Sequence, residues 1–350
     1  MSDFKTLYGF KVQSLSSDPS PVELGQVWYN TTSNVAKVRV IETVLTDTWA
    51  SGGNLNTTRQ SLGGAGTQTA ALAFGGTGPT PPTNTAKTDA TEKYDGTNWT
   101  SVNSMNSARG ELAGCGSQTS ALAFGGVLQS TPATSNVGTT EKYDGTNWTS
   151  VNSMNTARRE LGGIGTQTAA LAVSGTQPPP GTRSSAVEKY DGTNWTNVNS
   201  ISTGRARLAG AGIQTAALFF GGQGPVGQTL QAVALTEKYD GTNWSNANSM
   251  NNAKSFLGGA GTQTAALAFG GQRPPTGTIL SETEKYDGTN WTSNPTGLGT
   301  GRRNLAGTGS RTAALAFGGL TSPSTPTTTT ATEEWTGETT QIATKTISAS

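Results

Sequence analysis

The chain has 350 residues, with Lys+Arg 23 against Asp+Glu 22, a formal net charge of +1, and 32% hydrophobic residues beside 47 glycines. A near-neutral chain without a basic block carries no electrostatic footprint for nucleic acid or an anionic membrane surface, and no apolar run approaches the ~20 residues of a membrane-spanning helix. The absence of histidine removes the commonest general base, the Ser/His and Cys/His nucleophile pairs and the usual zinc and copper ligand sets, so no catalytic residue, metal or cofactor is expected.

The first 18 residues contain no apolar core of a secretory leader. Residues 1–42 stand apart from the rest of the chain, and Gly25–Val40 predicts a single β-hairpin, a polar turn between two alternating strands. A lone hairpin is marginal, so it needs something to pack on: the rest of the chain, a copy of itself or a partner. Trp28, Tyr29, Val38 and Val40 are the candidate partner-attachment residues. The Trp-Tyr-Asn-x-Thr run resembles segments near the ends of bacteriophage tail-fibre and other virion proteins. The low-charge Thr/Asn/Gly/Ser composition is similar to theirs. The plainer reading is a small cap on the following domain.

From residue 43 onward the chain is repetitive. Thr-Glu-Lys-Tyr-Asp-Gly-Thr-Asn-Trp occurs at Thr91–Trp99, Thr140–Trp148, Thr236–Trp244 and Thr283–Trp291, with Val for Thr at Val187–Trp195. A Leu-(Gly/Ala)-Gly-x-Gly element begins at Leu62, Leu112, Leu161, Leu208, Leu257 and Leu305, at spacings of 50, 49, 47, 49 and 48 residues. Four short strands fit one module: a at about Ser61–Gly66, b at Thr69–Phe74, c at Thr91–Tyr94 and d at Trp99–Val102. Gly, Asp and Asn turns bound them. Asp95-Gly96-Thr97-Asn98 is a hairpin signal between c and d. The glycine-rich strand a suits an innermost position, where only small side chains fit.

The Gly-Gly after a hydrophobic strand, then a Tyr, a Trp several residues later and an Arg opening the next module, resembles the kelch-repeat family over roughly Trp49 to Ile342. The period near 50 is the kelch period. The resemblance implies an all-β, six-bladed β-propeller with four-stranded blades. It also implies that the repeat tyrosines and tryptophans pack between blades and that Arg59, Arg109, Arg158, Arg205 and Arg302 tie neighbouring blades together. Lys254 replaces Arg once, so a planar guanidinium contact is unavailable there. The last module has Trp335 in its c-like segment and no Asn-Trp after it. Trp49 precedes Arg59 by the same ten residues that separate Trp99 from Arg109. Thr48–Asn54 is therefore expected to supply strand d of the sixth blade, with Gln341–Ile347 as the alternative. The expected domains are an attachment segment over 1–42 and a propeller over 43–350. Trp49, Arg59, Trp99, Trp148, Trp195, Trp244, Trp291 and Trp335 are the ring-closing and structural residues.

Several features invite a chemical reading. Five Asn-Trp-Thr/Ser triplets match a glycosylation sequon but read as turn residues. The repeated Glu-Lys pairs point to opposite faces of a strand and are expected to be solvated edge charges. Cys115 reads as an inert buried thiol. No inward cluster of arginines and acids can be assembled. The b–c loops differ from blade to blade and share a face with the d–a turns, so candidate binding residues are Pro79, Pro81, Leu128, Gln129, Pro179, Arg183, Gln228, Arg273 and Ile279. Those loops contain no aromatic residue, which argues against sugar stacking. The expected function is a non-enzymatic virion structural protein (tail fibre, baseplate or surface decoration). It would dock to other virion proteins by its N-terminal segment and present the propeller, with a host receptor as a possible loop-face partner. The alternative is an intracellular kelch-type protein-interaction module.

Overall fold

Asp-Gly-Thr-Asn closes the c–d hairpin in five blades. Asp95 Oδ1 accepts the N–H groups of Thr97 and Asn98 at 2.8 and 2.7 Å, while Gly96 sits at φ +93°, a conformation that costs glycine little. Asp144, Asp191, Asp240 and Asp287 repeat the arrangement. These backbone donors, the Asn N–H foremost, hold all five carboxyls below the usual aspartate range.

The computed structural model describes residues 12–44, 47–78, 86–129, 135–178, 182–224, 232–273, 276–321 and 327–347. Two compact units divide the chain: Met1–Thr46 with Gly337–Ser350, and Asp47–Thr336. The larger unit is a β-propeller of six four-stranded antiparallel sheets, each in the order a-b-c-d. Blade 1 comprises Gly63–Gly66, Ala71–Phe74, Thr91–Tyr94 and Trp99–Val102, and blade 2 Ala113–Ser117, Ser120–Phe124, Thr140–Tyr143 and Trp148–Val151. Blade 3 comprises Gly162–Thr166, Ala169–Val173, Val187–Tyr190 and Trp195–Val198, and blade 4 Ala209–Ile213, Ala216–Phe220, Thr236–Tyr239 and Trp244–Ala247. Blade 5 comprises Gly258–Gly261, Ala266–Phe269, Thr283–Tyr286 and Trp291–Asn294. Blade 6 takes Ala306–Gly309, Ala313–Phe317 and Thr332–Thr336 as a, b and c, with Thr48–Ser51 as its outer strand d. Each strand a touches that of the next blade, and the sixth touches the first.

Glycine in strand a is demanded by the aromatic between blades. A Cβ on Gly63 would lie 2.3 Å from the Phe74 ring, and one on Gly114 of the next blade would also lie 2.3 Å from it. Phe74 is fully buried, worth roughly 2–3 kcal/mol of hydrophobic stabilisation. The tyrosines and tryptophans pack between blades as expected: Tyr143 and Trp148 of blade 2 share a core cluster with Ala65, Leu72 and Phe74 of blade 1. Each outer-strand indole then hydrogen-bonds backward. Trp148 donates to Thr91 Oγ1, Trp195 to Thr140, Trp291 to Thr236 and Trp99 to Thr332, all at 3.0 Å, and Trp49 donates to Thr283 at 2.9 Å. Val187 lacks the hydroxyl, and Trp244 donates instead to the Asn199 carbonyl at 2.8 Å.

Blade 3 departs in a second, compensated way. Val173 stands where Phe74 stands in blade 1, and Phe219 of blade 4 fills the space: its ring lies 2.4 Å from a Cβ built on Gly162 and 2.5 Å from one on Gly210. These are the equivalents of the two glycines that face Phe74. One aromatic ring has moved from one blade to its neighbour while the interface keeps its volume.

Closure rests on Trp49 pairing with Trp335, ring centroids 5.4 Å apart, beside Thr48–Thr336, Ala50–Glu334 and Ser51–Glu333. At ordinary interfaces the lysine of strand c donates to the hairpin carbonyl of the next blade, as Lys93 to Gly145 at 2.6 Å and Lys142 to Gly192 at 2.5 Å. The closing blade has no such hairpin, and Lys285 instead pairs with Asp47 at 2.5 Å. Glu334 replaces the lysine at the last interface and accepts the Tyr94 hydroxyl at 2.5 Å. Burial first, and Glu334 second, push the Tyr94 phenol up to about 12.

The expected boundaries need correction. Gln341–Ile347 does not close the sixth blade, and the propeller does not extend to residue 350. Thr339–Ile347 pairs antiparallel with Val35–Val44 in the smaller unit, which also holds Val27–Asn30 and, parallel to it, Gln13–Leu15. The single hairpin is thus the middle of a four-stranded sheet, which satisfies far more backbone than two strands can. Asp18 gathers this unit: it accepts from Trp28 Nε1 at 3.0 Å, Asn30 Nδ2 at 2.7 Å and Lys37 Nζ at 2.7 Å. Lys37 first, then Asn30 and Trp28, bring its carboxyl down to about 2.

The Glu-Lys pairs are also corrected. The glutamates are not solvated: Glu92, Glu141, Glu188, Glu237, Glu284 and Glu333 are buried. Each pairs with the buried cation that opens its own blade, Arg59–Glu92 at 2.7 Å, Arg158–Glu188 at 2.8 Å and Lys254–Glu284 at 2.9 Å among them. A second glutamate oxygen accepts a backbone N–H from the d–a segment, as from Asn56 at 2.6 Å. A buried charge persists only when so paired. The arginine side chain therefore grips its own blade, and its backbone ties the blades: Arg109 O accepts from Gly76 N of blade 1 at 2.9 Å, and Arg59 O from Gly319 N of blade 6 at 2.8 Å.

Candidate functional site

Each d–a turn runs from the buried cation through two residues to the leucine of strand a. The second of these residues, Ser61, Glu111, Glu160, Arg207, Phe256 or Asn304, has φ between 51° and 60° in every blade. Each donates its N–H to the carbonyl of its predecessor: Glu111 to Ser61, Glu160 to Glu111, Arg207 to Glu160, Phe256 to Arg207, Asn304 to Phe256 and Ser61 to Asn304, at 2.8–3.0 Å. Six peptide groups thus form a closed circle of hydrogen bonds around the axis.

A left-handed conformation costs a non-glycine residue on the order of 1 kcal/mol. The same chain uses glycine where the turn alone matters, as at Gly96 and Gly145, where a Cβ would meet nothing nearer than 3.4 Å. Six side chains at the circle, in five residue types, mark a place where side chains are wanted. They line a mouth of about 590 Å³, within the size range of small-molecule sites. Below it Leu62, Leu112, Leu161, Leu208, Leu257 and Leu305 border both the mouth and a narrower axial space of about 140 Å³ walled by strand a glycines.

The mouth is charged. Glu160 accepts from Arg207 Nη2 at 2.6 Å and Nε at 2.8 Å, Thr176 Oγ1 at 2.8 Å and Arg183 Nη1 at 3.3 Å. Burial raises its pKa, but Arg207, Thr176 and Arg183 together outweigh that and leave it below the usual glutamate range. Glu111 lies 3.6 Å from Lys87 and 3.5 Å from Arg159. Gln223 Oε1 accepts from Arg207 at 2.6 Å and Arg183 at 3.1 Å, and Gln272 Oε1 accepts from Arg303. Phe256 has the guanidinium carbons of Arg207 and Arg303 at 4.1 and 5.5 Å from its ring centroid. Burial first, and the charge of Arg207 second, depress the Arg303 pKa.

One expectation is overturned. Arginines and acids do converge at the axial mouth, supplied by the d–a turns and not by strand a. An aromatic ring is also present on this face, because Phe256 comes from a turn and not from a b–c loop. Of the loop residues singled out from the sequence, Arg183 reaches the mouth through its ion pair with Glu160 at 3.3 Å. Gln129 Oε1 accepts the Lys87 backbone N–H at 2.8 Å, Leu128 pairs with Arg109, Ile279 with Gln272, and Arg273 forms an ion pair with Glu282. Pro79, Pro81, Pro179 and Gln228 lie outside the described residues. Each b–c loop begins on a shared base: Thr77 bridges Gln60, Val127 Gly110, Thr176 Arg159, Gln223 Ala206, Gln272 Ser255 and Leu320 Arg303. In the smaller unit Trp28 is fully buried and so cannot be an attachment contact, whereas Tyr29, Val38 and Val40 are half-buried. Cys115 is buried, and desolvation pushes its thiol well up, away from reactivity.

No family model matches this chain, and no curated protein matches it. Among solved structures, the one described as "Structure of YjhT" superposes with a TM-score of 0.67 at 12% identity, covering 83% of this chain and 99% of that one. The likeness is one of fold. The mouth residues of this chain are therefore read on their own chemistry.

Proposed function

We propose that this protein is a non-enzymatic display scaffold, a structural component of a phage virion such as a tail fibre, baseplate or surface-decoration protein. The smaller unit would attach to other virion proteins, through Tyr29, Val38 and Val40 once Trp28 is set aside, and the propeller would present its mouth face, with a host surface receptor as partner. The observation that carries the reading is where variation falls. Positions that build blades repeat almost letter for letter, while the six mouth positions and the b–c loops differ in nearly every copy. A scaffold held constant beneath a varied face is the arrangement of a recognition surface. Glu160, held below the usual glutamate range by Arg207, Thr176 and Arg183, is a weak base, which suits binding better than proton transfer. Mass spectrometry of purified particles tests the virion assignment: the chain should be a stoichiometric component, and its absence would overturn the assignment.

The charged mouth also favours a second reading, a kelch-type binding module working inside the cell. Capture of one soluble partner that competes for the mouth, with no chain in particles, would select it.

A further inference from the structure

We propose that the mouth binds a small oxyanion, a carboxylate- or phosphate-bearing ligand, held by Arg207 and Arg303 beside the Phe256 ring. The inference rests on the reading of the mouth face as the recognition surface and names what that surface takes.

Charge balance is the first support. Lys87, Arg207 and Arg303 line the mouth with only two carboxylates, Glu111 and Glu160, which Arg159 and Arg183 also engage from beside it. Glu160 is already shared between Arg183 and Arg207, and Glu111 between Lys87 and Arg159. Among the described residues no carboxylate pairs with Arg303. The b–c segments outside the described residues (79–85, 130–134, 179–181, 225–231, 274–275 and 322–326) contain no Asp or Glu in their sequence. Those segments therefore supply no carboxylate to neutralise Arg303.

Preorganisation is the second support. Arg303 is oriented by a neutral amide, Gln272 Oε1, and Arg207 is steadied by Gln223 Oε1 as well as by Glu160. An amide fixes the direction of a guanidinium without cancelling its charge. Arg303 Nε is buried and makes no hydrogen bond. Its pKa is lowered by burial and by Arg207, two like charges crowded at one aromatic ring. An oxyanion beside them would accept the Nη hydrogens that Glu160, Gln223 and Gln272 leave free and relieve their repulsion. The Phe256 edge and the leucines beneath would take the apolar body of the ligand. A volume of about 590 Å³ admits a molecule of monosaccharide size or somewhat larger.

The test uses the full chain in calorimetric titrations at low ionic strength with three probes: glucuronate, inorganic phosphate and glucose. At least one anion should bind, with glucose weaker by about tenfold or more. Binding of glucuronate alone would assign a carboxylate ligand, and of phosphate alone a phosphate ligand. Arg303→Gln should weaken the anion by about tenfold or more with Tm retained, whereas Arg273→Gln, at an ion pair with Glu282, should leave it unchanged. If Arg303→Gln fails to fold, the wild-type arginine Nε–Hε NMR signals decide: that of Arg303 should shift on titration with the anion. Equal binding of glucose and the anions, no binding of either anion, or an unmoved Arg303 signal would overturn the inference. The display reading would survive those outcomes if the chain is found in particles. It would fall separately if the chain is absent from them, whatever the mouth binds.

Discussion

The buried cation that opens each blade occurs as arginine five times and as lysine once, so the molecule contains its own comparison. In four of the blades the guanidinium Nη1 donates to two carbonyls at the b–c junction: Arg59 to Gly75 and Ala90 at 3.1 and 2.7 Å, Arg158 to Ser174 and Ala186 at 2.9 and 2.6 Å, Arg205 to Gly221 and Leu235 at 2.8 and 3.0 Å, and Arg302 to Gly318 and Ala331 at 3.2 and 2.6 Å. Arg109 is turned, reaching Glu141 at 3.0 Å and Ala123 O at 3.3 Å. Lys254 is fully buried and meets Glu284 at 2.9 Å, but no hydrogen bond joins it to the Gly270 or Glu282 carbonyls. Lys254→Arg should restore that pair of bonds. At about 1 kcal/mol net for each bond the gain is about 2 kcal/mol, raising Tm by roughly 3 °C in a domain of this size. The converse, Arg158→Lys, should cost about as much or somewhat more, since it leaves the buried Ser174 carbonyl without that donor, while the Ala186 carbonyl keeps the Ser174 N–H at 2.9 Å. Differential scanning calorimetry on both variants reads the effect. A Lys254→Arg protein no more stable than its parent, with Arg158→Lys equally unaffected, would refute the claim that the guanidinium fork holds the b–c junction.

The moved ring between blades 3 and 4 predicts strong coupling. Phe219→Ala should cost about 3–4 kcal/mol by cavity formation and Val173→Phe about 1–3 kcal/mol by overpacking. The double variant should recover most of the loss, and simple additivity in a double-mutant cycle would show that the two sites do not share one space. Tyr94, raised from 10.0 to about 12, should be the last of its kind to ionise in an ultraviolet titration. Because the folded pKa is the higher one, its contribution is intact below pH 10.0 and declines as pH rises towards about 12. Glu334→Gln should lower that pKa, and an unchanged titration would contradict the assigned contact. Asp18, depressed from 3.8 to about 2, works in the opposite sense, with stability present above pH 3.8 and lost as pH falls towards about 2. Asp18→Asn should flatten that acid limb in NMR signals of the smaller unit while leaving those of the propeller unchanged.

Much of the propeller was legible because its devices are local. Strands c and d of blade 1 run over Thr91–Tyr94 and Trp99–Val102, the spans that the Asp-Gly-Thr-Asn turn implies, and the ten-residue interval from Trp49 to Arg59 located the closing strand. The pairing of Thr339–Ile347 with Val35–Val44 was not legible, since an alternating strand does not say which edge it will join. The glutamates were misread because a charged residue in a strand is ordinarily exposed. The clue was that all six modules keep Glu while the adjacent Lys gives way at Glu334. The mouth was missed because its residues sit in the two variable letters of Arg-x-x-Leu. No propensity scale assigns a left-handed backbone to Glu111 or Phe256, and the tertiary circle imposes it.

That circle is made of peptide groups, which every residue except proline supplies alike. Its six members can consequently be exchanged one at a time, or inherited in new combinations when near-identical repeats recombine, without disturbing the backbone links between blades, though at the cost of side-chain ties such as Arg207–Glu160. The molecule thereby separates what evolution must preserve from what it can vary: a spelling of six letters at the axis, written on a backbone indifferent to the text.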